Sequence, residues 1–342
     1  MKLPPFQLER YFARYEFSAP YLLCTSDCES LTLKNLLSLE ADAEERFAEL
    51  GLGYTEALGH PELRHAVAAL YKQLTAEQVL VHAGAEEAIF NFMNVALNSG
   101  DEIVVQSPCY QSLAEVARGI GAQVKAWQAR PEAGWALELA DLEQLLTERT
   151  RVVVVNFPHN PTGYLPPLDL VHQLVQLSQQ HDFIILADEV YRGLELNPAD
   201  RLPALAELDN RAVSIGVMSK TYGLAGLRIG WVATYNQQIF NQMAAFKDYT
   251  TICNSAPSEF LAALALRHAD SLAGRNRQII RTNLELLDAF FAEHEQLFSW
   301  SKPLAGPIAF PELRHGQVDT FCHNLVEEAG VLLLPGTLYS PE

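Results

Sequence analysis

Four short segments hold residue types that could bind an anionic ligand and react with it. The first is MSKTYGLAGLRIGW (218–231), which follows the apolar run AVSIGV (212–217). A lone lysine is ordinarily a solvated surface charge. Lys220, at the end of a buried strand, is instead partly desolvated, and such an amine loses proton affinity and becomes a nucleophile. Glycines at 223, 226 and 230 let a backbone approach a ligand closely, and Arg228 can grip a phosphate through two parallel hydrogen bonds. The second segment, VVNFPHNPTG (154–163), ends a buried strand in turn-forming residues. It places Asn160 at the carboxyl end of a strand, where open α/β sheets bind ligands. The third, FIILADEVY (183–191), puts Asp188 after an apolar run, with Tyr191 close behind; an acid there can equally be a helix N-cap. In the fourth, HAGAEEAIFNFMN (82–94), a Gly-Ala turn opens an amphipathic helix whose first N–H groups, at Ala85 and Glu86, are free to hold an anion.

The elements that must position these residues are legible in the pattern of apolar runs. EIVVQ (102–106), AQVKAW (122–127), RVVVVNF (151–157), FIILA (183–187), AVSIGV (212–217) and LRIGWVAT (227–234) are short and mostly apolar on both faces. That is the signature of strands buried on both sides of a mostly parallel sheet. Helical stretches such as LDLVHQLVQLSQQHD (168–182) lie between them, which predicts an α/β layered domain. Beyond Gln237 the character changes. Residues 236–250 and 257–295 predict long helices, PIAF (307–310) a short strand, 317–329 a helix and VLLLP (331–335) a strand. The division expected is a large domain over 40–240 and a smaller α+β domain from 1–39 and 241–342.

The 342 residues are 49% apolar and 19% charged, as in a globular chain of about two domains. Lys and Arg number 24 against 42 Asp and Glu, a net charge of −18. A surface that acidic repels nucleic acid and anionic membranes. No apolar run approaches the roughly 20 residues of a membrane span, and MKLPPFQLER lacks the apolar core of a signal peptide. A cytoplasmic location is expected. Five scattered cysteines argue against a disulfide framework. Cys24 and Cys28 have no second pair at zinc-ligand spacing, so no metal site is expected.

Taken together and in this order, the segments resemble the fold type I pyridoxal-phosphate (PLP) enzymes of the aminotransferase class I/II family. The resemblance runs from about Gly53 to Gly336. It rests on Asn156-Phe157-Pro158-His159-Asn160-Pro161-Thr162-Gly163, on Ala187-Asp188-Glu189-Val190-Tyr191, and on Ser219-Lys220 followed by Gly223, Gly226, Arg228 and Gly230. It implies a large domain with a mostly parallel seven-stranded sheet between helices. It implies pyridoxal 5′-phosphate held as an imine on Lys220, whose freed amine moves the substrate proton. Asp188 would pair with the ring nitrogen, and Asn160 and Tyr191 would hydrogen-bond the ring oxygen. Tyr110 would stack on the ring. Ala85 and Glu86 backbone N–H groups, Ser219 and Arg228 would cup the phosphate, a place that suits Glu86 only if its side chain points outward. Tyr54, in GYTEALGHPELRHAV (53–67), matches the tyrosine that reaches the partner subunit's phosphate, which implies a homodimer with shared active sites.

The resemblance has three departures. Val217 stands where many relatives carry serine, AGPIAF (305–310) replaces a more usual strand, and the tail that carries a carboxylate-gripping arginine in relatives is missing, Arg314 being the only arginine after position 300. Either the sequence is a truncated one or the substrate carboxylate is held otherwise. The activity implied is aminotransfer between an amino acid and a 2-oxo acid, by way of a pyridoxamine form of the cofactor. AGPIAF and GVMSKTYGLAGLRIGW also resemble capreomycidine synthase-like members, so a lyase, decarboxylase or cyclase on the same fold stays open, as does a catalytically silent PLP-fold binding protein. Ser26 and Asp27, in YLLCTSDCESLTL (21–33), are candidate substrate contacts. His159 sits inside the asparagine motif, and His60 before Pro61 suits a helix start.

Overall fold

The structure is a computed structural model that describes residues 1–339; positions 340–342, the end of the expected small domain, fall outside the described residues. Seven strands form the central sheet: β1 Val79–His82, β2 Glu102–Ser107, β3 Gln123–Gln128, β4 Thr150–Asn156, β5 Ile184–Asp188, β6 Val213–Val217 and β7 Gly230–Ala233. Their spatial order is β1-β7-β6-β5-β4-β2-β3. Only β7 runs against its neighbours; the remaining pairs are parallel. This is the mostly parallel seven-stranded α/β sheet that the sequence implies. Six of the strands fall on the six apolar runs. The seventh, β1, is a four-residue edge strand whose three apolar residues are too short a signal to separate from a loop.

Side chains alternate across the sheet, as strand geometry requires. Val152 and Val154 of β4 join one core cluster with Ile89 and Phe92 of the helix Ala85–Ala96. Val153 and Val155 join another with Leu170 and Leu174 of the helix Leu168–His181. Helices thus cover both faces, and the carboxyl ends of β4, β5 and β6 are left to hold the polar residues.

The C-terminal part departs from expectation in two places. PIAF (307–310) is irregular chain, not a strand. Pro307 has no N–H to give a ladder and Gly306 takes φ +79°, so the backbone cannot stay extended there. A short antiparallel pair, Phe298–Ser299 with Glu312–Leu313, flanks it instead. The long helix expected over 257–295 divides at His268 into Ala256–Arg267 and Ala269–Glu293. At the other end, Tyr21–Leu22 pairs in parallel with Val331–Leu332, and the Tyr15 hydroxyl donates to Glu327 at 3.1 Å. Leu36, Leu37 and Leu261 pack with Val79, Val81 and Trp231 on the edge of the large sheet.

Candidate active site

Asn156 and Asp188 are register partners where β4 and β5 end. The Asn156 amide joins the two motifs: its Nδ2 donates to the Asp188 carbonyl at 2.8 Å, and its Oδ1 accepts the Asn160 N–H at 2.6 Å. Its own N–H donates to Gln106 Oε1 at 2.8 Å. Asn160 is buried and its Oδ1 has no partner, which is a costly state for an amide unless a ligand completes it. Asp188 is buried, and burial pushes its carboxyl up to about 6, against the opposing pull of the Val190 N–H and the Lys220 charge. The adjacent Glu189 faces the other way, accepting from the Leu205 N–H at 2.7 Å and Ser214 Oγ at 3.0 Å.

Lys220 follows β6 and keeps part of its surface open to the cleft, while protein atoms surround its amine. Desolvation is the largest influence and lowers its proton affinity, with Asp27 and Asp188 opposing. Its Nζ donates to Ser26 Oγ at 2.5 Å. The buried Tyr191 hydroxyl donates to the Ser26 carbonyl at 3.2 Å, and burial raises its pKa far above the ordinary phenol value. Lys220, Asp188, Asn160 and Tyr191 are therefore brought together, with Ser26 among them.

An anion cradle lies beside them. Gly84, at φ +90°, turns the chain into the helix Ala85–Ala96. The N–H groups of Ala85 and Glu86 have no partner within a helix at its first turn. The Arg228 guanidinium lies against this turn, so that a Cβ on Gly84 would come within 2.8 Å of its Nη2. Among the described residues Arg228 makes no ion pair; the one hydrogen bond of its guanidinium is a long 3.5 Å contact to the Ala225 carbonyl. Gly230 lets β7 reach the same turn, since a Cβ there would stand 2.6 Å from the Gly84 carbonyl carbon and 2.7 Å from the Ala85 nitrogen. Ser219 is buried next to Lys220, whereas Val217 is a buried member of the core. The Glu86 side chain differs from expectation. It does not point outward: its Oε2 accepts from Ser112 Oγ at 3.1 Å, and burial raises its carboxyl to about 7. The next helix, Ser112–Ile120, packs against the helix that carries Glu86 and supplies this hydroxyl from its first residue.

Tyr110 packs against Phe6, ring centroids 5.2 Å apart, and burial raises its hydroxyl pKa. Tyr54 lies away from this cluster with 92% of its surface exposed. His159 is a buried brace for the asparagine turn, 2.7 Å from Thr162 Oγ1 and 2.8 Å from the Pro108 carbonyl, its pKa lowered by burial to about 4. His60 caps the helix Pro61–Ala68, accepting from the Glu62 N–H at 3.3 Å. Arg314 is committed to the carbonyls of Glu295 and Phe298. Cys24 and Cys28 are free thiols whose pKa values burial pushes up to about 12 and about 11.

Sequence reasoning passed over Asn156 and Gln106 as positioning residues. Both are polar residues ending apolar runs, the one signal that would have marked them. It also passed over Glu87, which accepts the Ala83 N–H at 2.6 Å and the Thr251 hydroxyl at 2.8 Å and so ties the turn before the helix Ala85–Ala96 to the 250–251 loop.

A seven-stranded mostly parallel sheet, with a lysine after one strand and an acid at the end of the next, is the architecture of the fold type I PLP-dependent transferases. The chain belongs to the family of aminotransferases of class I and II, whose pattern matches residues 21–340; it is an enzyme of that PLP-dependent family. Capreomycidine synthase from Streptomyces vinaceus is 32% identical over 340 residues, 98% of this chain and 87% of its own. A solved PLP-dependent aminotransferase from Streptococcus suis superposes with a TM-score of 0.93 at 33% identity, covering 100% of this chain and 91% of that one. A solved PLP-dependent cyclase superposes with a TM-score of 0.90 at 29% identity, covering 99% and 91%.

Proposed function

We propose that this chain is a PLP-dependent aminotransferase that moves an amino group between an amino acid and a 2-oxo acid. The observation that carries this reading is the desolvated Lys220 amine, set in one cleft with the buried Asp188 carboxyl and beside an arginine that has no carboxylate partner. The residues fit the cofactor. Arg228, the Ser219 hydroxyl and the N–H groups of Ala85 and Glu86 would hold its phosphate. The Asn160 side-chain N–H2 and the Tyr191 hydroxyl would donate to the ring oxygen. Tyr110 would cover the ring face, and the Asp188 carboxylate would hold the ring nitrogen in its protonated form. When bound, the cofactor supplies an electron-poor ring that stabilises the charge left at the substrate Cα. Lys220 would hold the cofactor through its amine and, once released by the incoming amino group, take the Cα proton and return it to the cofactor's aldehyde carbon on the other side of the shared nitrogen. Its lowered proton affinity suits both tasks.

We further infer two lobes, 40–240 and 1–39 with 241–342, and a homodimer in which Tyr54 of one subunit completes the other's phosphate site. The test begins with the purified protein and added pyridoxal phosphate. A visible absorption band should appear, and Lys220→Ala should abolish both the band and turnover. Single amino acids should then release 2-oxo acids. A protein that shows no band at saturating cofactor would overturn this reading.

A second reading is favoured by the similarity to capreomycidine synthase along nearly the whole chain and by the cyclase superposition. It keeps Lys220, Asp188 and the cradle but ends in ring closure on a basic amino acid. Product analysis separates the two: a cyclised amino acid with no 2-oxo acid would replace aminotransfer with cyclisation.

A further inference from the structure

Ser26 belongs to the N-terminal segment, yet it meets both reactive side chains of the cleft. Its hydroxyl oxygen accepts from the Lys220 amine at 2.5 Å, and its carbonyl accepts from the Tyr191 hydroxyl at 3.2 Å. The segment that carries it is fixed in place. Arg275, from the long helix Ala269–Glu293, donates to the Glu29 carbonyl at 2.8 Å and pairs with the Glu29 carboxylate at 3.3 Å. The neighbouring Asn276 holds the Thr221 carbonyl at 3.0 Å. One helix thus fastens both the Ser26 segment and the turn that follows Lys220. Gly223, at φ +65°, lets the two pass closely; a Cβ there would lie 3.4 Å from the Cys28 carbonyl and 3.3 Å from that of Glu29.

A free lysine amine sits on four rotatable bonds and loses rotamer entropy when held in one geometry. An acceptor supplied by the protein fixes that geometry before the proton is taken, which is how positioning groups raise the rate of a step they do not perform. We propose that Ser26 is a positioning residue: its hydroxyl holds the Lys220 amine, when that amine is not bonded to cofactor, in the orientation from which it takes and returns the substrate Cα proton. The assignment rests on the proposed function, since it concerns the same amine. Asp27 assists through its charge, which raises the proton affinity of Lys220 against the desolvation that lowers it.

Ser26→Ala is a clean probe because it removes the hydroxyl and leaves the carbonyl that Tyr191 uses and the Arg275 latch intact. Two measurements follow on the full chain. With Cα-deuterated substrate, Ser26→Ala should lower kcat about tenfold and enlarge the isotope effect on kcat, with KM little changed. Ser26→Thr, which keeps the hydroxyl, should restore both. With no substrate present, the rate at which the cofactor-free protein takes up pyridoxal phosphate should be followed against pH. A hydroxyl that accepts from the ammonium form favours it, so Ser26→Ala should move the midpoint of that profile down by about one pH unit. A wild-type protein that takes up no pyridoxal phosphate overturns the cofactor reading itself. Normal uptake by the wild type, with the isotope effect and pH midpoint unchanged in Ser26→Ala, overturns the positioning role alone.

Discussion

Two carboxyl groups near Lys220 and Arg228, those of Asp188 and Glu86, have raised pKa values. Asp188 is raised by burial and has Lys220 to draw it back down; a protonated ring nitrogen placed against it would do the same more strongly. Glu86 is raised by burial to about 7 and faces Ser112 as hydrogen-bond donor, the carboxylates of Glu9 and Asp188, and the Arg228 cation. Of these only Ser112 and Arg228 favour its charged form. A phosphate cupped at the same turn adds negative charge and raises Glu86 further, so binding should draw a proton onto it. The sign follows directly. Below pH 6 Glu86 is protonated with or without ligand and costs nothing. Above 7 the ligand must bind against a charge or recruit a proton. The affinity of Glu86→Gln for pyridoxal phosphate, relative to wild type, should rise from near one below pH 6 to about tenfold at pH 8.5. Taking the ratio cancels the titration of Lys220 and of the phosphate itself, which act on both proteins alike. A flat ratio across that range would show that the Glu86 carboxyl does not sense the phosphate site.

At the scale of elements, the site depends on how closely β7 approaches the turn before the helix Ala85–Ala96. A Cβ on Gly230 would meet two backbone atoms of that turn inside 2.7 Å or less, and backbone cannot rotate aside as a side chain tip can. Gly230→Ala should therefore push the strand end and the anion cradle apart. The expected result is at least a tenfold loss of pyridoxal-phosphate affinity by titration of the visible band, with a lower Tm. Gly226→Ala is the matched control, because nothing lies within 4 Å of its added Cβ, and both quantities should stay at the wild-type value. Equal behaviour of the two variants would remove the close-approach argument. The elements themselves were legible where burial on both faces imposes an unbroken apolar run, as in β4 and β5, and where Lys220, Asp188 and Asn160 follow such runs directly. Short elements were not. The edge strand β1 has too few residues to show a period, and PIAF has strand-like composition but is held irregular by Pro307 and Gly306. Nor could the inward turn of Glu86 be foreseen, since it depends on the helix Ser112–Ile120 packing against its own, a contact between segments that no local pattern encodes.

At the scale of the whole molecule, the Ser26 contact shows the same limit more strongly. Residues 26 and 220 are far apart in sequence, and their meeting is set by the pairing of Tyr21–Leu22 with Val331–Leu332 and by Arg275. The N-terminal segment is thereby folded back over the cleft, where Phe6 lies on Tyr110 and the Gln7 N–H donates to Gln111 Oε1 at 2.8 Å. No helix among the described residues is long and apolar enough to cross a membrane.

Tyr54 raises the remaining question at this scale, because 92% of its surface is exposed. The segment that carries it is nevertheless anchored. The Lys247 amine donates to the Ala57 carbonyl at 2.7 Å, Thr55 Oγ1 donates to the Asn254 carbonyl at 3.3 Å, and the His60 N–H donates to Glu259 at 3.1 Å. Tyr54 is thus held outward on a fixed base, and Tyr249 and Ile252 are exposed on the same loop system. If it enters a second copy of the chain, each site combines Lys220 of one subunit with Tyr54 of the other, and the two can be separated by mutation. Lys220→Ala homodimers should be inactive, and Tyr54→Ala should weaken cofactor binding about tenfold, the loss of one charge-assisted hydrogen bond. In a mixed dimer one site carries both substitutions and the other carries neither. Exchanging subunits between the two inactive or weakened proteins should therefore regenerate native-affinity sites, one per hybrid. Native mass spectrometry measures the hybrid fraction, and cofactor titration at limiting concentration counts the recovered sites. Hybrids that form without any recovered site would confine Tyr54 to its own subunit and break the shared-site arrangement.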